Sequence, residues 1–134
     1  MYTYHMQFKR DIASVCFNYW KTDCKELGIH SVEDYLKDME ITYIAHNDIK
    51  WYGSVSIDKI DLITHQHLTP WLTSLYVNPE HRGKGIASML LYSVLKDYTK
   101  LYLWCTKNMS SFYRKFGFHC IETVGDRAIM LKHP

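Results

Sequence analysis

The chain has 134 residues, of which 47% are apolar and 15% aromatic, a composition that supports a packed core and excludes a disordered chain. Its length fits one domain, expected over residues 1–134. A net charge of +2 without a Lys/Arg block gives no footprint for nucleic acid, and no apolar run approaches the roughly 18–20 residues that span a bilayer.

Residues 2–8 alternate loosely in polarity and are expected to form an opening strand. Over residues 11–27, Ile12, Val15, Cys16, Tyr19 and Trp20 recur at helical spacing, so an amphipathic helix is expected, stopped by Gly28. Ser31 followed by Glu33 and Asp34 marks the cap and acidic first turn of a second helix reaching about Met39. Two strands are expected over 41–45 and 51–57, joined by a turn at His46, Asn47 and Asp48. A polar loop over 58–68 precedes the strongest strand signal, residues 71–77. Ile86, Met89, Leu90, Val94 and Leu95 then mark a long helix, and 101–105 a buried strand. Residues 110–116 predict a short helix ended by Gly117. Strands over 118–123 and 127–132 close the chain across Gly125 and Asp126. The order β-α-α-β-β-β-α-β-α-β-β predicts an α/β fold whose sheet mixes parallel and antiparallel pairs.

The four cysteines, Cys16, Cys24, Cys105 and Cys120, show neither a CxxC pair nor zinc-ligand spacing and read as reduced thiols. The first eleven residues lack the basic-then-apolar order of a signal peptide. A cytoplasmic protein is therefore expected, with no membrane or nucleic-acid partner, as a monomer or homodimer.

The chemistry concentrates between Leu75 and Ser88. A strand ends at Val77, a Pro79 turn follows, and Arg82, Gly83, Lys84 and Gly85 open directly into the helix beginning Ile86, Ala87. Glycines at 83 and 85 let backbone approach a ligand closely. Amides of a helix start have no helical acceptors, lie at the positive end of the dipole, and can cradle a pyrophosphate. Arg82 and Lys84 add charge. The segment is neither a GxxxxGK[ST] phosphate loop nor a GxGxxG dinucleotide fingerprint.

In these residues the sequence resembles the GNAT superfamily of N-acetyltransferases. The family's [RQ]-x-x-G-x-[GA] signature has its counterpart in Arg82 to Ala87 behind Leu75-Tyr76-Val77-Asn78-Pro79. Its second signature corresponds to Phe112-Tyr113-Arg114-Lys115-Phe116-Gly117-Phe118. The approach Thr69-Pro70-Trp71 resembles a branch of small stand-alone members. The element order also matches, so the resemblance covers the whole chain. It implies acetyl-CoA as acetyl donor, CoA as product, and a central strand splayed from its parallel neighbour to admit the pantetheine arm. Cofactor contacts are implied at Leu75, Tyr76, Val77, Arg82, Gly83, Lys84, Gly85, Ile86, Ala87, Ser88 and Asn108.

The implied reaction joins amine and thioester in one ternary complex, where proximity supplies much of the rate. A strand N–H polarises the carbonyl. Tyr113 takes the family position of the general acid that protonates the departing thiolate, and a phenol with a pKa of about 10 suits that task. Asn108 or Thr106 is expected to cap the short helix. Only roughly one amine in a thousand is neutral at pH 7, so a base is useful. Many members carry a glutamate on the central strand, whereas this one carries Thr73 and Ser74. The base is left open among His65, His67, Glu33 and Asp34; the His-x-His pair lacks the further ligands of a metal site.

Acidic residues at Glu26, Glu33, Asp34, Asp38 and Glu40, then Asp58 and Asp61, fall in the segments that build the acceptor side in the family. Glu33, Asp34 and Ser74 are expected at the substrate. A carboxylate-lined entrance favours a small polycationic amine such as a polyamine. The alternatives are a protein lysine or N-terminal amine as acceptor, or a silent CoA-binding module.

Overall fold

The structure, a computed structural model, describes residues 6–39, 41–47 and 49–134. Among them are five α-helices and six strands. The opening strand expected over 2–8 is corrected in part, and its first four residues lie outside the described ones. Residues 6–8 instead begin helix α1 (Met6–Tyr19). The reason is spacing: Phe8, Ile12 and Cys16 recur every four residues and are all buried, with Ala13 and Phe17 beside them.

The single helix expected over 11–27 is two. The chain leaves helical geometry at Trp20 (φ −109°, ψ 38°) and resumes as α2 (Lys21–Glu26). Gly28 ends α2 as expected, at φ +81°. Ile29 N–H bonds Cys24 C=O and Gly28 N–H bonds Lys25 C=O, the paired closure of a Schellman motif. Helix α3 (Val32–Asp38) starts at Ser31, whose Oγ accepts from Asp34 N–H at 3.1 Å.

The remaining elements fall close to their predicted places: β1 (Ile41–His46), β2 (Trp51–Asp58), β3 (Trp71–Val77), α4 (Ile86–Asp97), β4 (Leu101–Thr106), α5 (Ser110–Arg114), β5 (His119–Val124) and β6 (Arg127–Lys132). In the β1–β2 turn, Asn47 Oδ1 accepts from the N–H groups of Ile49 and Lys50. Asp48, expected in that turn, and Glu40, counted among the acidic residues, lie outside the described residues.

The sheet runs β1-β2-β3-β4-β6-β5. Only β3 and β4 are parallel; every other pair is antiparallel. Alternation along the strands serves two main cores and a smaller cluster of Trp71, Tyr102 and Ile129. Tyr43, Val55, Leu72 and Leu103 pack beneath α4 and α5, while Ile44 and Trp51 meet the apolar face of α1 to α3. The sheet is thus covered on both faces, as a sheet with a central parallel pair requires. No described helix is long and apolar enough to cross a membrane.

Two irregularities shape the middle of the sheet. First, β3 and β4 pair only at Trp71 with Tyr102. Beyond that point, toward Val77, the two strands carry no sheet pairing. Second, Ser56 faces Thr73 and Ser54 faces Tyr76, so Ser74 and Leu75 both stand against Val55. Ser74 takes the left-handed conformation (φ 57°), which re-aims the strand there. Further along β2, Gly53 lies opposite Val77: a Cβ on it would meet Tyr76 C=O at 2.8 Å, so no larger residue fits without moving β3.

Candidate active site

Parting of β3 from β4 opens a cavity of about 420 Å³ in the middle of the sheet. Leu72, Thr73, Ser74 and Leu75 form one wall, and Leu103, Trp104, Cys105 and Thr106 the other. Tyr19, Trp20, Asp23 and Cys24 close it from the α1–α2 corner, and Tyr113 of α5 from the opposite side. Ser74 is therefore brought to the site, its Oγ accepting from the buried Tyr35 hydroxyl at 2.7 Å.

Downstream of the parting, the glycine loop meets the requirements of a phosphate cradle. Gly83 (φ +77°) and Gly85 (φ +79°) are left-handed, and a Cβ on either would find nothing within 4 Å. The space beside the backbone is open where a ligand must approach. Gly85 C=O accepts the first bond of α4, from Met89 N–H at 3.0 Å, and no side chain caps that start. The first amides of α4 thus have no acceptor within the helix. Lys84 is exposed beside them. Arg82 is partly committed elsewhere: its Nε donates to Val77 C=O at 2.9 Å, and its guanidinium lies 5.5 Å from the Tyr76 ring centre.

Tyr113 is buried, its ring edge-on to Phe112 and Phe118. Burial, with the Cys105 thiol nearby, pushes its phenol well above the ordinary tyrosine value. It therefore stays protonated across the physiological range, the state a proton donor needs. The capping expected of Asn108 or Thr106 is corrected. The Thr106 hydroxyl donates to Asn108 Oδ1 instead, and Ser110 Oγ bonds Lys107 C=O at the start of α5. Asn108 is exposed and outside the cavity lining.

Glu33 and Asp34, expected at the substrate, are not among the residues lining this cavity. Glu33 forms a bidentate pair with Arg10 on the exposed surface (2.7 and 3.2 Å). Asp34 Oδ2 accepts from His30 N–H and so serves the cap of α3. His65 and His67 lie outside it too, His65 bonding Glu122 at 3.0 Å. No group of described residues could hold a metal.

The cavity's acid comes from Asp23, Asp38, Asp58 and Asp61, and Arg127 is the one basic residue lining it among those described. Arg127 reaches Asp23 at 3.7 Å and stacks over Trp104, 4.1 Å from the ring centre. Trp104 Nε1 in turn donates to Asp61 Oδ2 at 2.9 Å. Sequence reading named Asp38, Asp58 and Asp61 as acidic but not Asp23, Trp104 or Arg127. Pairing of β4 with β6, which sets Thr106 opposite Arg127, brings Trp104 and Arg127 together, and Asp23 of α2 meets Arg127 from the helical side.

Cys24 and Cys105 also line the cavity. Burial pushes the Cys24 thiol up to about 11 and raises that of Cys105. Both thiols are therefore held in the protonated form, which is the poorer nucleophile.

A family model described as an acetyltransferase (GNAT) domain matches residues 38–120. Among solved structures, an aminoglycoside 6'-N-acetyltransferase complexed with coenzyme A superposes with a TM-score of 0.75 at 13% identity, over 98% of this chain and 94% of that one. PaiA N-acetyltransferase from Thermoplasma acidophilum, in complex with coenzyme A, gives 0.62 at 21% identity over 96% and 94%. A histone acetyltransferase and related acetyltransferase from Corynebacterium glutamicum gives 0.69 at 16% over 96% and 92%. No curated protein matches the sequence significantly.

Proposed function

Because the chain belongs to the GNAT acetyltransferase family, we propose that it moves the acetyl group of acetyl-CoA directly onto a primary amine, and that the amine is a small polycation of the polyamine type. The observation that carries this reading is the parting of β3 from β4, which opens one cavity with Tyr113 on one side and four aspartates on the other.

Acetyl-CoA, when bound, supplies an activated acetyl thioester. The first amides of α4, with Gly83, Gly85 and Lys84, hold its pyrophosphate. The edge of β3 that faces away from β2, without a β4 partner beyond Trp71, orients the arm and offers an N–H to the carbonyl oxygen. Tyr113 holds a proton for the departing sulfur. No residue is acylated on the way, in keeping with the raised thiols of Cys24 and Cys105.

The acceptor follows from charge. A monoamine brings one ammonium, which must be deprotonated to react. A di- or polyamine keeps a second one, which a carboxylate of the cavity lining can meet. An exposed pairing is worth about 0.2–1 kcal/mol, or roughly 1.4- to 5-fold in KM, and more where water is excluded. Tyr19 and Trp20 also line the cavity, and aromatic rings there suit a cationic acceptor.

The experiment is kcat/KM for spermidine, putrescine, butylamine and a lysine peptide at two salt concentrations. Spermidine and putrescine should lead, and their lead should shrink as salt shortens the Debye length. Asp58→Asn should raise KM for spermidine more than for butylamine, while Glu33→Gln changes neither. Equal values for diamine and monoamine, or preference for the peptide, would remove the polyamine assignment.

A further inference from the structure

Direct transfer needs a neutral amine, and the central strand carries no carboxylate to produce one. The histidines of the preceding loop point elsewhere. Asp61 stands apart from the other acids of the cavity because the fold fixes it from several elements. It sits in the loop after β2, lines the cavity beside Thr73 of β3, and has Oδ2 anchored by the indole N–H of Trp104 on β4 at 2.9 Å. Trp104 is itself clamped by Arg127 of β6, which also reaches Asp23 of α2. A carboxylate held by two donors, the Thr73 hydroxyl and the Trp104 indole, keeps further acceptor sites for a ligand. From this geometry, and resting on the acetyltransfer reading, we propose that Asp61 is the general base of the reaction and Trp104 its positioning residue.

The proton count closes. Asp61 takes one proton from the incoming ammonium and becomes a carboxylic acid. The freed lone pair forms the C–N bond to the acetyl carbon, and the C–S bond breaks with its electron pair on sulfur. Tyr113 gives its proton to that sulfur, the second proton lost by the nitrogen restores the phenol, and Asp61 releases its proton to water. Ammonium and thioester become amide, thiol and one proton.

The surroundings suit a base working near neutrality. Burial pushes the Asp61 carboxyl up to about 7, while the Thr73 hydroxyl and the Trp104 indole hold it down. Asp23 of α2 and Asp38 of α3 raise it further; Asp58 at the end of β2 and Arg127 of β6 are the other charged groups lining the cavity. A base near 7 is half ionised at neutral pH and still strong enough to take a proton from an amine being consumed.

The test is the pH profile of kcat/KM with a fixed amine, alongside the acetyl-CoA melting shift for each variant. Wild type should lose activity tenfold per unit below about pH 7. Asp61→Asn should keep the melting shift, lose about 10²-fold at pH 7, and lose the acid limb. Trp104→Phe removes one of the two donors that lower the carboxyl and leaves the Thr73 hydroxyl, so its acid limb should move to higher pH while activity at high pH largely recovers. A role confined to packing would lower activity equally at all pH values. Wild-type transfer with an unaltered profile in both variants overturns the base alone. Absence of transfer by wild type with any amine overturns the acetyltransfer reading and the base with it.

Discussion

Tyr113→Phe is expected to lower kcat by at least about 10²-fold with little change in stability or in acetyl-CoA affinity. The ring makes the packing contacts, to Phe112 at 5.2 Å and Phe118 at 6.0 Å between centres, and phenylalanine retains both. Only the hydroxyl is lost, from a residue that lines the cavity near Cys105. Burial raises this phenol, so the wild-type enzyme should show no alkaline loss of activity below the ordinary tyrosine value of about 10. The variant should fall by the same factor at every pH where the wild type is fully active. Single-turnover rates at saturating acetyl-CoA separate this step from product release. Full activity across the pH range would remove Tyr113 from the chemistry.

The second large effect is on the cofactor. At 100 times its dissociation constant, acetyl-CoA should stabilise the folded wild type by about 2.7 kcal/mol. Gly85→Val should abolish that gain. The position is left-handed at φ +79° and its would-be Cβ points into open space, so the new side chain is expected to occupy the approach to the α4 amides. The left-handed backbone itself costs an L-residue about 1–2 kcal/mol, so the unliganded variant should melt a few degrees lower yet still fold. Gly125→Val controls for this: Gly125 is also left-handed with an open Cβ position, at φ +60°. It lies in the β5–β6 turn, away from the loop. Its melting point should fall similarly while the ligand shift survives. A preserved shift in Gly85→Val would place the pyrophosphate elsewhere.

Local signals made most of the fold legible. Apolar spacing located α4, and alternation located β3 from Trp71 to Val77, because both patterns are set by the faces those residues bury. The glycine loop was legible for a similar reason: left-handed backbone and a helix start leave a mark in residue type. Phe8 was misread because a three-residue overlap with a helical stripe looks like alternation when the rest of the stripe is ignored. The acceptor side was less legible still. Glu33 and Asp34 carry the right charge, but Arg10 takes one and the α3 cap takes the other, and neither partner is visible from composition. Asp61 was noticed only as one more acid in a polar loop. What distinguishes it is an indole 43 residues away, brought beside it by the sheet.

The most direct test of the account is amine-dependent thiol release from acetyl-CoA by the purified wild-type protein, with the amine product identified by mass spectrometry. The account predicts one thiol released per N-acetylated amine, spermidine among the best acceptors, and no acetylated enzyme when the amine is withheld. Thiol release that does not depend on the amine, or an acetylated cysteine accumulating without it, would contradict direct transfer.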